Sequence, residues 1–91
     1  MADGIQTSNL YGTVTDEKAQ ALPGVTITLA GQRAPEVQVT DAQGIFRFLD
    51  LQPGSYQAKA ELEGFETSVY FPEIHMGRNT NIYITLRTAI E

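Results

Sequence analysis

Thr40-Asp41-Ala42-Gln43-Gly44-Ile45-Phe46-Arg47-Phe48-Leu49-Asp50-Leu51-Gln52-Pro53-Gly54-Ser55-Tyr56 is the stretch from which the fold is read. Asp41 suits the first position of a type I turn, where its carboxylate accepts bonds from the backbone amides that follow. Gly44 suits the left-handed residue that closes such a turn with a bulge. On this reading residues 36–40 and 44–49 form a β-hairpin. Side chains alternate along 45–49, which sends Phe46 and Phe48 to the core and Arg47 to water. Each buried phenylalanine contributes roughly 1.5–3 kcal/mol of transfer free energy. Pro53 and Gly54 then take the two central positions of a type II turn. Beyond it, Tyr56, Ala58, Ala60 and Leu62 share one strand face and Gln57, Lys59 and Glu61 the other. The small Ala58 and Ala60 make room for the two phenylalanines.

Working outward, the same grammar recurs. Residues 1–9 have no strand period and read as a frayed or added start. A first strand covers 10–15, with Leu10 and Val14 inward and Gly12 marking a close approach or bulge. A polar loop over 16–20 precedes Leu22-Pro23-Gly24-Val25, a second Pro-Gly turn. Val25, Ile27 and Leu29 alternate with Thr26 and Thr28, β-branched residues suited to a solvent-facing sheet surface. On the C-terminal side, Glu63-Gly64 turns the chain into a strand over 65–71. There Phe65, Thr67, Val69 and Phe71 share one face, with Phe65 assigned to the core, and Tyr70 points out. Pro72 ends that strand or marks an edge. A short strand at 74–76 leads to the last, 79–87, with Ile82, Ile84 and Leu86 inward. Residues 88–91 read as the start of a linker. Seven or so short strands with turns every 8–12 residues, and no helical period, predict an all-β, antiparallel Greek-key sandwich. A small barrel is the alternative.

Composition bounds the function. Ninety-one residues make one domain. A chain of this size buries roughly 60–65% of its surface on folding. The formal charge is −5, with 6 Lys plus Arg scattered singly, which argues against nucleic acid as a partner because phosphate binding needs a basic patch. No cysteine is present, which excludes disulfides and thiolate metal sites. No apolar run approaches the ~20 residues of a membrane helix. The polar start Met1-Ala2-Asp3-Gly4 carries no leader signature, so an extracytoplasmic role implies an excised piece.

No side-chain set announces catalysis. His75 is the single histidine; it reads as a surface or turn residue. Ser55 and Ser68 lack a base and an orienting group. Asp16, Glu17, Asp41 and Asp50 do not form the closely spaced run that calcium favours and read as turn caps, so no metal or cofactor is expected. Tyr11, Tyr70 and Tyr83 all fall at outward positions. If they converge, they form a face able to stack on a carbohydrate or pack on a peptide.

The ordered blocks 12–16, Leu22-Pro23-Gly24-Val25-Thr26-Ile27-Thr28-Leu29, 39–48, 51–56 and Glu63-Gly64-Phe65 resemble the carboxypeptidase regulatory-like domain, a transthyretin-like (prealbumin-like) seven-stranded sandwich. The resemblance spans about 10–87. It implies a generally non-catalytic module attached to a metallocarboxypeptidase, or preceding the plug of a TonB-dependent-receptor-like bacterial outer-membrane protein. The tail from Ile84 looks like the latter, which implies a periplasmic setting, with the rest of the parent polypeptide or another envelope protein as partner. The zinc set of the carboxypeptidases, two histidines and a glutamate, has no counterpart beside the lone His75. The C-terminal Tyr-Arg-Gly-Ser of the hydroxyisourate hydrolases, which share the fold, is missing. Some related surface sandwiches carry a Lys–Asn isopeptide bond. Lys59 with Asn79 or Asn81 is the available pair here, and Lys59 is expected on the polar face of its strand.

Overall fold

Strand β1 (Ser8–Thr15) is the centre of a three-stranded sheet. The computed structural model describes residues 7–89, with no helix among them. β4 (Ile45–Leu51) lies antiparallel to β1 on one side, and β9 (Thr80–Thr85) lies parallel to it on the other. A four-stranded sheet runs β3 (Glu36–Val39), β2 (Thr26–Ala30), β6 (Gln57–Glu61), β7 (Ser68–Tyr70), all antiparallel. A short ladder joins β5 (Gly54–Ser55) to β8 (Glu73–Ile74). The all-β sandwich is thus as expected, with nine short strands and one parallel pair among the described residues in place of seven antiparallel strands.

The core lies between the two larger sheets. Leu10, Val14, Phe46, Phe48 and Ile84 enter it from the first, and Ile27, Leu29, Ala58 and Ala60 from the second; Val25, Leu51, Tyr56, Ile74 and Leu86 close its ends. Phe46 and Phe48 meet edge-to-face, their centroids 5.8 Å apart, an arrangement aromatic quadrupoles favour. Gly12 sits opposite Phe46 in the ladder, and a Cβ there would lie 2.0 Å from the Phe46 ring. The close approach at Gly12 is therefore to an aromatic ring, and it makes room for Phe46 within its own sheet.

The turn at Asp41 has the expected local chemistry and a different outcome. Asp41 Oδ1 accepts from the Gln43 and Ile45 amides at 2.8 and 2.9 Å, and the Gly44 amide closes the turn on the Asp41 carbonyl at 2.9 Å. Gly44 has φ +76°. Yet residues 36–40 and 44–49 are not a hairpin: β3 pairs with β2, and β4 with β1. The turn is a corner that carries the chain from one sheet to the other. Thr40 holds it. Its buried hydroxyl accepts from the Val25 amide and donates to the Leu22 carbonyl, and its backbone bonds Gly24 and Val25.

Further departures have local causes. β4 bulges where Leu49 and Asp50 together oppose Asn9. Strict alternation would drive Asp50 inward; the bulge turns Leu51 in instead, with Asp50 exposed at φ +58°. Gly54 has φ +144° and joins the β5–β8 ladder, so Pro53-Gly54 is not a type II turn. The strand over 65–71 shrinks to β7, and its faces are reversed. Ser68 and Tyr70 pair with the inward Ala60 and Ala58, while Val69 and Phe71 are exposed. Phe65 lies outside that strand, half-buried against the core and bridged to Thr88. The Ala89 amide bonds the Gly64 carbonyl, so 88 and 89 are held on the body and are not a free linker. Ser8 and Asn9, expected to be frayed, belong to β1; residues 1–6, 90 and 91 lie outside the described residues.

Candidate functional site

The outer face of the three-stranded sheet follows from its registers. One row across it reads Arg47, Tyr11, Asn81, and the next reads Ile45, Thr13, Tyr83. Tyr83 is 75% exposed; Leu49 and Ile45 are also exposed, and Tyr11 is half-buried. Asn9 orients Tyr11. Its Nδ2 lies 3.2 Å from the tyrosine hydroxyl, while its Oδ1 accepts from the Asp50 amide at 3.0 Å. Tyr11 and Tyr83 are diagonal neighbours on one surface. Tyr70 is not with them: it lies in the other sheet, half-buried against the core, which corrects its outward placement. The three tyrosines do not converge.

The outer face of the four-stranded sheet is the second candidate. Thr26, Thr28, Lys59 and Glu61 cover its middle; the exposed Val37, Val39 and Val69 flank them on the edge strands, and the exposed Phe71 follows β7. At one end a shallow hollow of about 450 Å³ is lined by Gly24, Thr26, Glu61, Leu62, Glu63 and Thr67. Two solvated carboxylates and two hydroxyls make it weakly acidic. Among the described residues no three His, Cys, Asp or Glu side chains come together as a metal site.

The remaining polar groups are engaged locally. Asp16 Oδ1 accepts from the Lys18 and Gln20 amides, and Glu17 pairs with Arg87 at 3.5 Å. Ser55 Oγ lies 3.3 Å from Glu73 Oε2. His75 is exposed, and its carbonyl accepts from the buried Ser8 hydroxyl at 2.6 Å. Ser8 Oγ in turn accepts from the Arg78 amide at 3.1 Å, so this serine clips the turn before β9 to β1. Lys59 faces out from the second sheet, while Asn81 faces out from the first and Asn79 lies beside Asn9 of β1, so neither pair has a route to a covalent link. The Tyr56 hydroxyl donates to the Gln52 carbonyl. Burial foremost pushes its pKa up, Glu36 adds to the rise, and Arg33 and the Gln52 bond oppose it.

Of the turn residues, Pro23 and Gly24 sit in a turn with Gly24 at φ +80°, and Gly64 has φ +91°. Ile82 is half-buried against the core that contains Ile84. Sequence reasoning passed over Ser8 and Thr40, the two buried polar side chains among the described residues. Their signal is weak, because each bonds backbone that only the folded topology brings near.

A model of the carboxypeptidase regulatory-like domain matches residues 9–87. The BOS complex subunit NOMO1 of Mus musculus is 38% identical over 105 aligned positions, covering 96% of this chain and 9% of that protein. The chain therefore spans less than a tenth of the length of the curated relatives it matches. Among solved structures, GBS52, the minor pilin of Streptococcus agalactiae, superposes with a TM-score of 0.81 at 17% identity, over 94% of this chain and 46% of that one. The 3-chlorocatechol 1,2-dioxygenase of Rhodococcus opacus 1CP superposes with a TM-score of 0.75 at 12% identity, over 98% of this chain and 64% of that one. Both are likenesses of fold.

Proposed function

We propose, since the chain belongs to the carboxypeptidase regulatory-like domain family, that it is a non-catalytic accessory module of a larger extracytoplasmic polypeptide, serving to space or dock its neighbours. The observation that carries this is an asymmetry of coverage: the match takes in 96% of this chain and 9% of the mouse relative. A unit of this size with its own core is what long polypeptides string together. The dioxygenase likeness lends no chemistry, because it is a likeness of strands at 12% identity. The carbohydrate- or peptide-binding alternative rests on a tyrosine face or an edge strand; the tyrosine face loses Tyr70. The narrower setting, in front of the plug of a TonB-dependent-receptor-like outer-membrane protein, rests on the resemblance alone; the relatives described above do not support it.

Reading the gene on both sides of the 91 codons tests this. Further domains or a membrane anchor in the same frame are expected. A stop codon directly after Glu91, with no coding sequence ahead of Met1, sinks the module reading. A leader upstream with a plug-and-barrel pattern downstream selects the outer-membrane setting; any other downstream domain removes that setting and leaves the module. A downstream peptidase or glycosidase makes the chain an enzyme's appendage.

A further inference from the structure

Four strands end the two larger sheets, and three of them are guarded. β4 is broken by its bulge and carries Arg47. β3 has four residues, begins at Glu36 and follows Pro35. β7 has three residues, and Pro72 stands just beyond it. Shortness, charge, proline and bulges are the devices that stop an edge from recruiting another strand. β9 has none of them. Thr80-Asn81-Ile82-Tyr83-Ile84-Thr85 carries no charge, proline or glycine, and it pairs with β1 in unbroken register over six positions. Five of its residues are β-branched or aromatic, and short uncharged segments of this kind pair readily with their own copies. Among the described residues its other edge is unpaired as far as Arg87, whose carbonyl accepts from the Glu66 amide.

We propose that the free edge of β9 is a homodimerisation edge, accepting β9 of a second copy of this chain antiparallel across a two-fold axis. The strand is self-complementary when centred on Tyr83. Tyr83 then faces the partner's Tyr83 on the outer surface, beside Asn81 facing the partner's Thr85. Ile82 faces the partner's Ile84 on the core side, which covers the half-buried Ile82. Aromatic and β-branched cross-strand pairs of this kind stabilise sheets. Arg78 and Arg87 fall beyond the ends of the seam, which stops where Glu66 and Phe65 already flank Arg87 and Thr88, so no like charges meet. The product is one sheet in the order β4-β1-β9-β9-β1-β4. It is closed, because each copy uses its one unguarded edge. A seam this short buries less than the roughly 800 Å² per partner of a standard interface. Each copy also carries a formal −5. The dimer is therefore weak, and it tightens as salt screens the repulsion. This goes beyond the accessory-module reading and does not depend on which parent carries the chain.

Sedimentation equilibrium of the whole chain tests it, in salt of roughly 0.05 and 0.5 M. A monomer–dimer equilibrium is expected, tighter at the higher salt, with no larger species and a dissociation constant on the order of 1 mM or below. On dilution, amide chemical shifts should move in 80–85 and stay still in β3 and β7. Tyr83→Lys sets lysine against lysine and should weaken the dimer at least about tenfold. Phe71→Lys makes the same charge change just beyond β7 of the other sheet, at a residue 76% exposed, and should leave the dimer intact. Unchanged unfolding midpoints establish that both variants fold. A chain that stays monomeric at the higher salt overturns the proposal. So do equal effects of the two substitutions, or aggregates that survive Tyr83→Lys.

Discussion

Gly12 shows how much one missing methyl group decides. The position reads as a weak point in a strand, since glycine gives up packing and more backbone entropy than other residues. Here the void above it is filled by the Phe46 ring. Gly12→Ala should destabilise the protein by about 1–3 kcal/mol or more through overpacking; urea unfolding showing a loss under about 0.5 kcal/mol would mean that Phe46 has another rotamer to use. Tyr56 gives a pH signature. Its folded-state pKa lies above the ordinary tyrosine value, chiefly because burial opposes the phenolate. The stability this contributes is complete below the unfolded-state pKa near about 10 and is lost as pH rises through the higher folded value. Tyr56→Phe should cost about 1 kcal/mol at neutral pH, through the lost bond to Gln52, and should flatten the alkaline decline. Parallel declines in the two proteins above that pH would remove Tyr56 as the cause.

At the scale of elements, the Asp41 turn is the instructive case. Its residues specify the turn, and the turn forms with the bonds they imply. What they do not specify is whether the two strands leaving it stay together. They part because each is taken up by a different sheet, β3 pairing with β2 and β4 with the longer β1. The corner is tied down by Thr40, which links it to the Pro23-Gly24 turn through a hydroxyl bonded at 2.9 and 2.7 Å. Thr40→Val keeps the shape and strands two backbone groups, one of them in the buried interior. A loss of about 1–3 kcal/mol is expected, with hydrogen exchange accelerating at Val25 in particular. Wild-type exchange at Val25 would show that water replaces the hydroxyl. β7 teaches the converse. Its pattern of Phe65, Val69 and Phe71 reads as a buried face, yet pairing with Ala58 and Ala60 turns Ser68 and Tyr70 inward. A one-residue offset reverses every side chain of a strand, and in this short edge strand the pairing with β6 sets the offset against the segment's own apolar pattern.

At the scale of the molecule, the two larger sheets share a single core, and neither can keep its buried face without the other. Unfolding should therefore be one cooperative transition, with near-ultraviolet and far-ultraviolet circular dichroism tracing the same curve in urea. Separate midpoints would show that one sheet survives alone. β1 pairs with β9 across 70 residues of chain. Such pairing must close a long loop before it returns any stabilisation, which places refolding in the range of about milliseconds to seconds.

The amino-acid sequence by itself determined the strand class, the chemistry of the Asp41 and Pro23-Gly24 turns and most of the core. Those depend on alternation and on the backbone preferences of proline, glycine, aspartate and β-branched residues, all of which act within a few residues. It also determined the family, because the spacing of turns and strands is itself a local pattern repeated along 9–87. Only the tertiary structure decided that the Asp41 turn is a corner, that β9 runs parallel to β1, that Tyr70 leaves the tyrosine face and that, among the described residues, β9 ends its sheet. Each of these depends on which distant strand is the better partner, a comparison of non-local pairings that no window along the chain contains.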